Sequence, residues 1–386
     1  MKAISYGAQT ISRSDVASVT KILTSRFLTQ GPTIKKFEKN LSKYFGSKHC
    51  LAVSSGTAAL YMTLLALNLK KNDIVITTPI TFLASASCII NAGCKIVLVD
   101  INLKDFTIDT DKLEKKLIEL KKQKKIPKAL IAVDYSGYPC NWKKIKVLSK
   151  KYNFMTINDN CHSLGTRYFG SKKYAMKYAD IVTQSFHPVK TITTGEGGAI
   201  HTNKERIFKK TKLIRSHSID RSLTNKFGPW YYQVENLGFN YRLTDIQASL
   251  GISQLSQIDK FVTSRKNIAK RYNKFFKKNE KFKTINIDDK NIESSYHLYP
   301  VLFDFEKYKI SKKNFFLKMK KKGIMLQVHY IPLHHLNLIK KNCVNLKDKF
   351  LNSEIFYKNS FSIPIFPNLK TKDQIYIFNQ IVKNLK

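Results

Sequence analysis

Short apolar runs alternate with helix-length amphipathic stretches along most of this chain. Cys50–Val53, Ile74–Thr78, Lys95–Asp100, Ala129–Val133 and Phe154–Ile157 have the length and β-branched content of buried strands. Residues 110–124 and 141–151 lie between the last three and carry apolar positions at helical spacing. Residues 14–44 also read as helical, starting at Ser14-Asp15 and broken in two by Gly31-Pro32. This alternation predicts an α/β fold, a mainly parallel sheet with helices on both faces. A long amphipathic helix over about 244–276 leads into a smaller C-terminal α+β domain, with strands near Tyr296–Leu302 and Met325–His329 and a last helix after Lys372. The expected organisation is an N-terminal arm (1–12), a large domain (13–250) and a small domain (251–386).

Composition narrows the setting. With 43% hydrophobic and 12% aromatic residues in 386, the chain can bury a sizeable core. No apolar run approaches the ~20 residues that span a bilayer, and Met1-Lys-Ala-Ile-Ser-Tyr6 is too polar for a signal peptide. Six scattered cysteines without Cys-x-x-Cys spacing read as reduced thiols, so a cytoplasmic protein is expected. His334-His335 has no acidic or thiol neighbour in sequence, and no metal site is expected.

The formal charge of +41 raises the question of nucleic acid. The lysines are dispersed, with short clusters at Lys121–Lys125 and Lys320–Lys322, and they far outnumber the arginines that favour base readout. No helix-turn-helix, RNP or zinc-finger pattern is present. Neither a specific nucleic-acid partner nor membrane insertion is expected. Such a field attracts nucleotide diphosphates and, at low salt, binds polyanions non-specifically.

Three segments carry chemistry. In Ser185-Phe-His-Pro-Val-Lys-Thr-Ile-Thr-Thr-Gly-Glu-Gly-Gly198, Lys190 sits among apolar and small residues instead of in a charge run. A desolvated lysine loses its proton more readily, and the neutral amine can attack an aldehyde to form a Schiff base. In Cys50–Leu67, a strand turns at Ser54-Ser55-Gly56 into an Ala/Leu/Met helix whose first N–H groups form an anion site. Gly56 permits close approach there and Thr57 adds a hydroxyl; an ordinary helix cap fits the same residues. In Met155–Gly165, a strand ends on Asp159, whose carboxylate then points into the crevice where open α/β sheets bind ligands.

Taken together with Ser25-Arg-Phe-Leu-Thr-Gln-Gly-Pro32, Pro79-Ile-Thr-Phe-Leu-Ala84, Gly238-Phe-Asn-Tyr-Arg-Leu-Thr-Asp-Ile-Gln-Ala248 and Val328-His-Tyr-Ile-Pro-Leu333, these segments run nearly end to end. In this order they resemble the DegT/DnrJ/StrS family of nucleotide-sugar aminotransferases, which are fold-type I pyridoxal 5'-phosphate (PLP) enzymes. The Lys190 segment and Val328–Pro332 are most similar to the branch acting on UDP-4-keto-6-deoxy sugars in pseudaminic acid synthesis. The resemblance implies that Lys190 binds PLP covalently and then shuttles a proton, and that Asp159 pairs with the pyridine nitrogen. It implies phosphate contacts from Gly56, Thr57 and Ser185, ring stacking by Phe82, and His162 beside the phenolic oxygen. Core packing of Phe82 and a structural role for His162 fit those residue types equally.

Asn240 and Arg242 are implied to reach the partner subunit's cofactor phosphate, making a homodimer with shared active sites. Tyr6, Thr29, His187, His329 and Tyr330 are implied sugar or diphosphate contacts. The implied reaction moves an amino group from L-glutamate to a nucleotide-linked 4-keto-6-deoxy sugar. A 3-keto sugar, a dTDP- or GDP-linked sugar, a cyclitol acceptor, or a non-catalytic regulator on the same scaffold stay open. Lys190 argues against the dehydratase branch, which carries His there. Asn158 stands where an acid commonly precedes Asp159, and Asn160-Cys161 replace two small residues.

Overall fold

The computed structural model describes residues 3–285 and 289–385, so residues 1–2 of the arm and 286–288 and 386 of the C-terminal region lie outside the described residues. The main sheet contains β1 (His49–Val53), β2 (Ile74–Thr77), β3 (Lys95–Leu98), β4 (Ala129–Val133) and β5 (Met155–Asp159). The short β6 (Arg167–Tyr168) leaves it, and β7 (Ile181–Ser185) and β8 (Gly198–Thr202) return to it. Its spatial order is β1-β8-β7-β5-β4-β2-β3. Strands β3, β2, β4, β5 and β7 pair in parallel, while β8 runs antiparallel to both neighbours.

Parallel strands covered on both sides must be apolar on both sides, which is why β2 and β4 are buried at every position. Successive side chains enter opposite cores. Ile76, Leu130 and Ala132 join the core with Phe37, Trp142 and Phe186, whereas Val75, Ala129 and Ile131 join the core with Met62, Ile89 and Ile207. Among the described residues, no helix is long and apolar enough to cross a membrane.

The smaller sheet has β9 (Phe282–Thr284), β11 (Tyr299–Phe303) and β12 (Ser360–Ile363) in the order β12-β11-β9, and the short β10 (Ile292–Glu293) pairs with β6. Its core joins Ile268, Tyr272 and Phe276 to Phe315, Phe361 and Ile377. Two sequence expectations need correcting here. The long helix over 244–276 is two helices, Asp245–Ser256 and Ile258–Lys277, separated where Gln257 takes a non-helical backbone. The Gln257 amide donates to Asp15 Oδ1 and Ser12 Oγ at 3.2 Å, and the apolar spacing continues across the break, hiding it from periodicity. Met325–His329 forms no strand. Ile324 bridges Ile4 of the arm and Gln327 bridges Ser362, after which the chain turns so that His329 and Tyr330 line a cleft.

Two of the sequence motifs meet at one carboxylate. Asp245 begins its helix and accepts N–H bonds from Gly31 (2.7 Å), Thr33 (2.9 Å) and Ile34 (3.3 Å), so it caps the neighbouring helix Pro32–Phe45. That helix starts at Gly31, which has no side chain to cap itself. Asp245→Ala is therefore expected to cost about 2–4 kcal/mol, because three N–H groups lose their acceptor. Thermal or denaturant unfolding measures this; an unchanged midpoint would remove Asp245 from the capping role.

Candidate active site

The site begins at the carboxyl ends of β4 and β5. Asp134 follows β4 and is completely buried, and among the described residues no cation pairs with it. Its Oδ1 accepts from Cys140 N–H (2.9 Å) and Trp142 Nε1–H (2.7 Å). Its Oδ2 accepts from Asn158 Nδ2 (3.0 Å), Asn160 Nδ2 (2.8 Å) and the Tyr174 hydroxyl (2.7 Å). Burial pushes the Asp134 carboxyl above its usual range while these donors pull it down. Four of the five partners can only donate, an arrangement that favours the ionised carboxylate.

Asn158 and Asn160 flank Asp159, and strand alternation sends their side chains to the face opposite Asp159. The Asp134 anion thus clamps one face of this strand end and leaves Asp159 facing the cleft. There Asp159 Oδ2 accepts from Ser85 Oγ at 2.8 Å and Oδ1 from Cys161 N–H at 3.3 Å. Ser85 is itself held by Thr81 at 2.9 Å. An acid at position 158 would set a second carboxylate against Asp134, so Asn158 suits this chain.

Lys190 lies in a tight turn after β7, with its N–H donating to His187 O at 2.9 Å. The loop closes through Thr194 N–H to Phe186 O (3.0 Å) and passes Gly195 at φ +80°, a conformation glycine adopts without strain. Burial lowers the Lys190 pKa, while Cys161 and Asp159 act against the shift. Across the cleft starts the helix Gly56–Ala66. Ser55 Oγ accepts from Ala58 N–H at 3.0 Å, and among the described residues no acceptor meets the N–H groups of Gly56 and Thr57. A Cβ on Gly56 would stand 2.8 Å from Ser185 Cβ, so only glycine lets the helix start approach β7 this closely.

Opposite Lys190 stand three histidines. His162 Nδ1 accepts the Ser136 N–H at 3.4 Å, and its Nε2 lies 3.1 Å from the Tyr330 hydroxyl. Burial holds its pKa well below the ordinary value, aided by Lys190 and His329. The ring is neutral with Nδ1 accepting, so Nε2–H donates to Tyr330 and the tyrosine proton stays free. His329 bonds Ser362 Oγ at 2.9 Å, and burial next to Lys190 pulls its pKa to about 3. His297 is likewise pushed well down, by burial and then by His162. Phe82 is 58% exposed, unusual for so large an apolar ring, and lies 5.9 Å from the Tyr330 ring.

Behind this wall, Arg265 is fully buried and donates to the carbonyls of Ile365 (2.9 Å), Tyr296 and His297 (3.2 Å each) and Val189 (3.5 Å). Burial lowers its pKa to about 10, so it remains a cation at neutral pH. It fastens the residue before Lys190 and the backbone of His297 to the small-sheet region.

These elements enclose a cleft of about 420 Å³. It brings together Tyr6, Gly56, Thr57, Phe82, Asp159, His162, Ser185, His187, Lys190, His329 and Tyr330 of the residues singled out from sequence. Ser85, Glu196 and His297 were not singled out; each lies in an ordinary local context, and only the fold shows that they belong here. Thr29, Asn240 and Arg242 do not line the cleft. Their backbones bridge Thr244, Ser216 and Val53 respectively. The expectation that His334-His335 lacks an acidic partner is overturned, because Glu354, 20 and 19 residues on, lies against both rings. All six cysteines are free.

Comparison with known proteins agrees with this geometry. A profile described as the DegT/DnrJ/EryC1/StrS aminotransferase family matches residues 9–382. The chain is 39% identical to a UDP-4-amino-4,6-dideoxy-N-acetyl-beta-L-altrosamine transaminase of Campylobacter jejuni, over 97% of this chain and 95% of that protein. The structure of Helicobacter pylori PseC, an aminotransferase involved in the biosynthesis of pseudoaminic acid, superposes with a TM-score of 0.91 at 31% identity, covering 100% of this chain and 99% of that one. A Streptococcus pneumoniae structure in its PLP form superposes with a TM-score of 0.87 at 26% identity, covering 99% and 98%. Sequence match, fold and cleft thus agree: the chain belongs to the DegT/DnrJ/EryC1/StrS aminotransferase family.

Proposed function

We propose that this aminotransferase uses PLP to move an amino group from L-glutamate to a UDP-linked 4-keto-6-deoxy-N-acetylhexosamine, the ketone counterpart of the altrosamine in the names of its relatives. The observation that carries the reading is the meeting of Lys190, Asp159 and the free helix start at Gly56 in one cleft. Those residues fit the cofactor. Two unpaired N–H groups and the Thr57 and Ser185 hydroxyls suit a phosphate, a buried carboxylate suits a pyridinium, and a desolvated amine suits an aldehyde. The S. pneumoniae structure in its PLP form supports the same assignment.

When bound, PLP supplies the aldehyde carbon for attachment and a ring that accepts the electron pair released at the donor's Cα. The chain supplies placement and proton transfer. Asp159, oriented by Ser85 and Cys161, holds a proton on the pyridine nitrogen. The exposed face of Phe82 offers a stacking surface. Lys190, as a free amine, would take a proton at the donor's Cα and return one at the sugar carbon; a lowered pKa suits both directions. Neutral His162 fixes Tyr330 so that its hydroxyl can donate into the cleft. Glutamate leaves as 2-oxoglutarate, and the sugar ketone becomes an amine.

Incubation with PLP, L-glutamate and each of two C5-epimeric UDP-4-keto-6-deoxy-N-acetylhexosamines, followed by mass spectrometry, tests the acceptor. Amination of the L-arabino epimer alone is expected. If neither epimer reacts, the UDP-sugar assignment falls and dTDP- or GDP-linked ketosugars take its place.

The active unit is a homodimer. Phe227, Trp230, Tyr232, Val234 and Leu237 form an exposed apolar stretch, Leu237 being 88% exposed, just before Asn240 and Arg242. An uncovered patch of this kind in a highly charged chain favours cover by a second copy, which would bring Arg242 to the partner's phosphate. Lys190→Ala and Arg242→Ala should each be nearly inactive alone. Mixed in equal amounts and allowed to exchange, they should recover about a quarter of wild-type activity, because half the dimers then hold one intact site. No recovery despite demonstrated subunit exchange would place Arg242 in its own chain's site.

A further inference from the structure

Outside the cleft, His334 and His335 converge on Glu354. Their Nε2 atoms lie 2.6 and 2.7 Å from Glu354 Oε1, and one ligand atom from each of the three residues falls within 4.8 Å of the others. Both sides of this contact are anchored before the side chains meet. Leu333 is fully buried and its N–H donates to Pro79 O at 2.9 Å, while His335 N–H donates to Pro332 O at 2.9 Å, fixing the histidine turn. On the other side, buried Asp100 accepts the N–H groups of Asn352 and Ser353 at 3.0 Å each. That bond set fixes the first turn of the helix Leu351–Asn359, which carries Glu354.

Two imidazole nitrogens and one carboxylate oxygen suit zinc and the later first-row divalent ions, whereas magnesium and calcium prefer all-oxygen sets. Three protein ligands leave a coordination position for water. Side-chain exposures of 13% for His334, 37% for His335 and 34% for Glu354 allow an ion to enter from solvent.

We propose that His334, His335 and Glu354 form a binding site for one zinc-class divalent cation. Each imidazole offers its Nε2 lone pair in the Nδ1–H tautomer, and the carboxylate binds through one oxygen. Ligands of a tetrahedral ion with bonds of about 2.0–2.1 Å stand roughly 3.3 Å apart. Binding therefore needs Glu354 to back away by about half an ångström, a small movement for a partly exposed side chain. The ion ties the turn following Tyr330 to the helix whose Phe356 packs on Tyr135, and the Tyr135 hydroxyl donates to His329 O. It thus braces the wall of the cleft formed by His329 and Tyr330 from outside.

The test is calorimetric titration of zinc chloride into chelator-treated, untagged holoenzyme, alongside Glu354→Gln and His334→Ala. The expected result is saturable binding of about one zinc per chain, weakened at least about tenfold in each variant. Glu354→Gln keeps the size of the side chain, so it reports on the ligand if His334→Ala fails to fold. Absence of saturable binding to the wild type, or equal binding by a folded Glu354→Gln variant, overturns the site.

Discussion

A buried carboxylate without a cationic partner is costly unless every lone pair is used, and the catalytic edge of this protein is built around one. Asp134 is held by five donors drawn from the loop after β4, the start of the helix Trp142–Tyr152, the end of β5 and the helix Tyr174–Tyr178. Removing any donor leaves part of a charge unsatisfied in a dry interior, so the segments are constrained together. Because Asn158 and Asn160 are two of those donors, the constraint fixes the strand end from which Asp159 faces the cleft. The two asparagines on either side of Asp159 are accounted for by the same anion.

A second buried charge works on the other side. Arg265 binds only backbone carbonyls, and those carbonyls belong to the lysine loop, the His297 segment and the strand exit at Ile365. The lysine and the histidine wall are thereby referred to one rigid point. Neutral histidines surround Lys190 because burial and its own charge suppress their protonation. The cleft accordingly concentrates its positive charge at few points while the whole molecule, at +41, draws in anionic ligands from a distance.

Much of this was legible in the sequence because it rests on local pattern. The parallel strands β2, β3 and β4 show as short apolar runs, Lys190 stands out as a charge among apolar and small residues, and Asp159 as a carboxylate at the end of a strand, whereas β7, with Thr183-Gln184-Ser185, carries no such signal. Strand direction is not encoded in such runs, so the reversal of β8 was invisible. The break at Gln257 depends on side-chain contacts with Ser12 and Asp15, more than 240 residues away in sequence. Ser85 meets Asp159 across 74 residues, and Glu354 meets His334 across 20; neither spacing is a motif. Met325–His329 lacks a continuous partner, since the arm bridges Ile324 just before it and β12 meets it only at Gln327.

The most direct test of the account is the kinetics and cofactor spectrum of Asp134→Asn, in protein shown to be folded by far-UV circular dichroism. This near-isosteric change removes the anion and turns one accepting oxygen into a donor facing Asn158, Asn160 and Tyr174. The account predicts a fall in kcat of at least about tenfold, with a shifted absorption maximum of bound cofactor, because protonation of the ring nitrogen follows the placement of Asp159. A folded variant with wild-type turnover and an unmoved spectrum would contradict it.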